Sequence, residues 1–179
     1  MEILTEQGFS ATGIDTVLKR VGVPKGSFYH YFDSKEDFGL AVLDCYAVYF
    51  ARKLDRWLLD EHALPLQRVS NFVEDAKDGM LKYEFRRGCL AGNLGQEIVV
   101  LPESFRLRLE EVLLDWERRL AACLRLAVES GQLPAETDCD AVAAFFWIGW
   151  EGAVLRAKLA RDLQPLDVFF NGFIARVAA

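Results

Sequence analysis

The chain has 179 residues, a net charge of −6 and 52% apolar residues. That suits one large domain, or a small one joined to a medium one, with apolar material left over for a partner surface. The acidic total argues against a generic polyanion binder.

The longest apolar run, residues 141 to 155, carries Glu151 and is shorter than the ~20 apolar residues of a membrane span, so a buried helix is expected there. The four cysteines (Cys45, Cys89, Cys123 and Cys139) lie far apart, form no CxxC pair, and have neither His30 nor His62 nearby. No zinc site, other metal or cofactor is therefore expected. No secretory signal is visible, which points to a cytoplasmic protein with reduced thiols.

In chain order, residues 1 to 8 read as the tail of a helix, with Ile3 and Leu4 apolar and Gly8 as its stop. Thr12 and Asp15 then make a T-x-x-D start signal. Ile14, Val17, Leu18 and Val21 recur at helical spacing until Gly22. Pro24 opens a third short helix, with Phe28 and either Tyr31 or Phe32 turned to the core. Asp33 or Ser34 caps a long fourth helix, on which Phe38, Val42, Cys45, Tyr46, Tyr49, Phe50, Leu54, Trp57 and Leu58 keep the period. A fifth helix starts near Pro65, and a glycine-spaced one covers about 88 to 99. Further helices run from Pro102 to Gly131, from 138 to 162, and from Pro165 onward. The expected fold class is all-α, with about nine helices.

Charge is uneven along the chain. Lys19, Arg20, Lys25 and Lys35 face only Asp33 between positions 19 and 35, a local positive patch on a negative molecule. The stretch "GVPKGSFYHYFDSKE", residues 22 to 36, adds four aromatic rings to that patch. Two short helices joined by "VGVP" form a helix-turn-helix, whose second helix enters a major groove. Lys25 can then meet a phosphate or a guanine edge, and Ser27 and Tyr29 offer hydroxyls. Gly26 allows close approach to a duplex, and His30 either faces DNA or covers the turn. Lys35 lies in a first helical turn whose backbone N–H groups also point at an anion, and Thr12 stands at a helix start on the other side. Asp15 would repel phosphate, so its expected job is capping.

With "GF" at 8–9 and "TGIDTVLKRVGVPKGSFYHYFDSKEDF" from 12 to 38, the sequence resembles the tetracycline-repressor-like (TetR) family of transcriptional regulators. "RRGCLAGNLGQE" resembles a segment of one branch of that family. The resemblance implies a helix-turn-helix DNA-binding domain, residues 1–36, and a helical ligand-binding and dimerisation domain, residues 37–179. The first helix is short by family standards, because the sequence opens inside it. The implied function is a homodimeric, ligand-responsive regulator, most often a repressor. It would bind a palindromic operator and be released by a small-molecule effector.

Residues 141 to 155 are apolar on every helical face, and the last helix adds Phe169, Phe170, Phe173 and Ile174. This points to helices 138–162 and 165–178 as the dimer interface. Asn93, Glu97 and Glu151 are polar residues on apolar helices and so candidates for effector contact, while Trp116 and Trp147 are candidates for an apolar pocket. Cys89 follows two arginines at a helix start, which favours thiolate and makes it a candidate sensor of electrophiles or oxidants. It has no identifiable His, Asp or Asn partner in the sequence, and no phosphate-loop or metal signature appears, so no catalytic residue is assigned and no enzyme is expected.

Overall fold

The computed structural model describes residues 1–177. Among them are α1 (Glu2–Gln7), α2 (Ile14–Val21), α3 (Lys25–Tyr31), α4 (Lys35–Leu58), α5 (Pro65–Lys82), α6 (Leu90–Gln96), a 3-10 turn (Ile98–Val100), α7 (Glu103–Glu129), α8 (Cys139–Ala160) and α9 (Gln164–Val177). No strand occurs among the described residues. The all-α reading holds. The helix expected over 88 to 99 is instead a seven-residue helix followed by the 3-10 turn.

The chain forms two compact units, and both are discontinuous in sequence. The first holds residues 1–49 and 89–112, the second residues 50–88 and 113 onward. A single cut at 36/37 falls inside the first unit. The long helices α4 and α7 each contribute a part to both units, so compactness does not follow chain order.

In the first unit, α2 ends at Gly22, whose left-handed backbone (φ 69°) turns the chain toward α3. Pro24 is the N-cap of α3. Phe28 is 4% exposed, with its ring 5.4 Å from Phe32 and 5.6 Å from Phe38. Tyr31 is 74% exposed, so Phe32 is the inward ring of that pair. Val21, expected to face inward, is exposed. Along α4 the buried set is Leu43, Tyr46, Phe50, Leu54 and Leu58, while Cys45 and Tyr49 face solvent. Cys45, two residues beyond Leu43, lies well round the helix from that stripe.

The second unit is built round aromatic rings. Trp116 lies 4.3 Å from Phe50 and 5.1 Å from Trp147, and Phe146 stacks on Trp150 at 5.7 Å. Fully burying each such side chain contributes about 1.5–3 kcal/mol. Arg68 is buried; its guanidinium donates to the carbonyls of Ala63 and Leu58, satisfying backbone at the end of α4. The helices α8 and α9 pack closely because Gly149 has no side chain: a Cβ there would run into the Phe169 ring. No helix among the described residues is long and apolar enough to cross a membrane.

Candidate nucleic-acid interface

The helix α3 is short because its ends are set by neighbours. Pro24 cannot supply a backbone N–H, and Phe32 leaves the helix in an extended conformation. Anchored by Phe28, the helix turns Lys25, Gly26, Tyr29, His30 and Tyr31 to solvent, with Ser27 half-buried at the edge. Tyr29 is 55% exposed. At the start of α3, an open depression of about 400 Å³ is lined by Leu18, Lys19, Gly22, Val23, Pro24, Lys25 and Asp15. Two ammonium groups at its rim suit an anionic backbone.

Asp15 sits within this face. Its carboxylate is 3.1 Å from the Lys25 ammonium, and both side chains are more than half exposed. The hydrogen bond to Asp15, together with its negative charge, holds the Lys25 ammonium above its ordinary value. The capping role expected for Asp15 is not found: the N-cap of α2 is Gly13, and no side chain bonds there. The sequence signal misled because α2 begins at Ile14, two residues beyond Thr12.

Thr12 also changes role. It is 2% exposed, and its hydroxyl donates to the Gly8 carbonyl at 2.5 Å. A buried, engaged hydroxyl cannot reach a phosphate, so Thr12 leaves the interface. Lys35 is engaged as well, donating to the Ser10 carbonyl at 3.2 Å and lying 4.7 Å from the centre of the Phe9 ring.

The six effector candidates fall into two sets. Cys89, Asn93 and Glu97 belong to the first unit, and Trp116, Trp147 and Glu151 to the second. Cys89 is the N-cap of α6 and 8% exposed; its sulfur accepts from the Gly92 N–H at 3.3 Å and from the Tyr46 hydroxyl at 3.7 Å. Asn93 donates to the Thr5 carbonyl at 2.8 Å. The Glu97 carboxylate accepts from the backbone N–H groups of Phe9 (2.9 Å) and Ser10 (2.6 Å). Asn93 and Glu97 thus hydrogen-bond the backbone of α1 and the turn after it, a role their sequence positions did not suggest. Trp116 and Trp147 touch each other in the aromatic core, and Glu151 is half-buried on α8.

No cluster of three metal-binding side chains occurs among the described residues. The candidate site read from the sequence left out Lys19, Val23 and Asp15, all of which line the depression. The signal for Lys19 was present in the basic run; the one for Asp15 was not, because its partner is ten residues away across a turn.

Residues 1–42 match the family of bacterial regulatory proteins named for tetR, and residues 65–173 match the tetracyclin repressor-like C-terminal domain. The chain belongs to the TetR family. It is a helix-turn-helix transcriptional regulator. It is 53% identical to the transcriptional regulator AcuR of Cereibacter sphaeroides over 97% of this chain and 79% of that protein. It is 31% identical to the transcriptional repressor DhaR of Mycobacterium sp. strain GP1, over 95% of this chain and 84% of that one. Among solved structures, a regulatory protein TetR from Rhodobacter sphaeroides superposes with a TM-score of 0.96 at 52% identity, covering 98% of this chain and 93% of that one. The reduced form of E. coli NemR does so with a TM-score of 0.85 at 28% identity, covering 96% and 89%.

Proposed function

We propose that this regulator represses transcription as a homodimer on a palindromic operator and that a small-molecule effector releases it. The observation that carries the reading is the solvent-facing set Lys25, Gly26, Tyr29 and His30 on the second helix of a helix-turn-helix. Cationic and hydroxyl-bearing side chains on such a helix suit phosphates and base edges in a major groove. Relatives carrying the name repressor, DhaR and NemR, support the sign of the regulation.

Dimerisation is supported by α8 and α9. Phe145 (47% exposed), Ile148 (75%) and Leu159 (71%) on α8, with Val168 (62%) on α9, leave an apolar surface uncovered in a single chain. A second copy presenting the same surface would bury it in a two-fold interface. Paired copies of α3 would then read half-sites about 34–36 Å apart or at a multiple of that spacing. For the effector, the indole N–H of Trp147 is buried and donates to no acceptor among the described residues. A ligand bringing a hydrogen-bond acceptor to the rings round Trp147 would satisfy it. Effector binding would favour subunit geometries whose readers no longer match successive grooves.

The test is the salt dependence of duplex binding. Lys25→Ala is expected to weaken binding about tenfold and to lower the slope of log K against log salt by roughly one for each phosphate it no longer neutralises. An unchanged slope refutes the assignment of α3 as the reader.

A further inference from the structure

The turn between α1 and α2 leads directly into the two helices of the reader, α2 and α3. Its backbone is held from two sides. The N–H groups of Phe9 and Ser10 donate to the Glu97 carboxylate, 88 and 87 residues away in sequence. The Ser10 carbonyl accepts from Lys35 at the start of α4. Gly8, at φ 84°, makes room for the carboxylate: a Cβ there would stand 2.8 Å from Glu97 Oε1. One helical turn earlier on α6, Asn93 holds the Thr5 carbonyl of α1. The Phe9 ring, 5% exposed, packs 5.1 Å from Phe105.

An ionised carboxylate accepting two successive backbone N–H groups is a strong, directional anchor. Burial by itself would lift the Glu97 carboxyl. The hydrogen bonds from Ser10 and Phe9, with the nearby Lys35 charge, outweigh it and hold the group below its ordinary value. A solvated glutamate at the end of a short helix would not accept two successive backbone N–H groups with a cation beside it.

We infer that Glu97 is a positioning residue for operator binding: through the Phe9–Ser10 turn it sets the orientation of α2 and α3 while touching no DNA itself. The inference rests on the DNA-binding reading above. It assigns to α6 a grip on the reader in place of effector contact, and it makes Gly8 the other half of the same latch.

The experiment uses the full chain and a duplex that the wild-type protein selects from a randomised pool, with poly(dI-dC) as non-specific DNA. Glu97→Ala is expected to lose about tenfold or more in affinity for the selected duplex. Affinity for poly(dI-dC) does not fall, because no cation of the reading face is removed. Glu97→Gln restores part of the loss, since its amide oxygen accepts one of the two N–H groups. Amide exchange of Phe9 and Ser10 speeds up in Glu97→Ala while the amides of α3 keep their protection. If Glu97→Ala does not fold, Glu97→Gln carries the test through the same ratio of specific to non-specific affinity. Folded variants that bind the selected duplex as the wild type does overturn the inference and leave the DNA reading standing. Equal loss toward both DNAs also overturns it, since that reports general loosening. A wild-type protein that enriches no duplex overturns the DNA reading itself.

Discussion

Both α3 and α8 present large apolar side chains to water, and the chemistry of the two faces differs. On α3 the exposed rings, Tyr29 and Tyr31, carry hydroxyls and stand among Lys25 and His30. On α8 the exposed residues Phe145, Ile148 and Leu159 are pure hydrocarbon. A ring with a polar edge beside a cation loses little in water and gains at a wet, anionic surface. Bare hydrocarbon gains only when water is removed altogether, as in a dry interface between like surfaces. The same measure, exposed apolar area, therefore supports the proposed nucleic-acid face in one place and the proposed self-association face in the other.

The most severe way to break this contrast is a charge on the hydrocarbon face. Ile148→Glu is expected to shift sedimentation from dimer to monomer and to cut operator affinity by about a hundredfold or more, because a lone reader meets one half-site. A dimer that survives this change would show that α8 is not the interface.

A second prediction concerns acid. Glu97 has its carboxyl held below the ordinary 4.5 in the folded protein. Its contribution to stability is therefore fully present above pH 4.5, the unfolded value, and drains away as pH falls through the lower folded value. Denaturant unfolding at a series of pH values should show an acid loss that is shallower in Glu97→Gln; superimposable curves would contradict it.

A smaller effect is expected at the reading face. Asp15→Asn frees the Lys25 ammonium, and binding to poly(dI-dC) should strengthen about threefold with a steeper salt slope. Weaker non-specific binding in this variant would mean that Asp15 orients Lys25 toward the duplex instead of restraining it.

The thiols give the smallest expected effect on binding. Cys45 is exposed, whereas Cys89, Cys123 and Cys139 are buried. Burial pushes the Cys123 thiol up to about 11 and raises that of Cys139. A chromogenic disulfide reagent on the native protein should titrate one fast thiol, lost in Cys45→Ser, with operator affinity unchanged.

The helices and the helix-turn-helix were legible because their signals are local. Apolar residues three and four apart on α7, from Phe105 through Leu109, Val112, Trp116, Leu120 and Leu124, are all buried as their spacing requires. Pro24 and Gly22 punctuate the reader as those residue types do elsewhere. Thr12 was misread because a start signal one residue out of register looks the same in sequence, yet it turns the hydroxyl inward to Gly8. Cys45 was misread because a long helix offers several near-equivalent apolar stripes, and only packing selects the one through Leu43 and Tyr46.

Sequence by itself determined the all-helical class, the reader and the hydrocarbon surplus near the end of the chain, since each follows from periodicity or composition within a few turns. Tertiary structure alone decided what the polar residues of α6 do. Glu97 and Asn93 take their meaning from backbone groups of Phe9, Ser10 and Thr5, some ninety residues earlier. Every residue presents the same backbone N–H and C=O, so no pattern of side chains marks which of them a distant carboxylate or amide will meet.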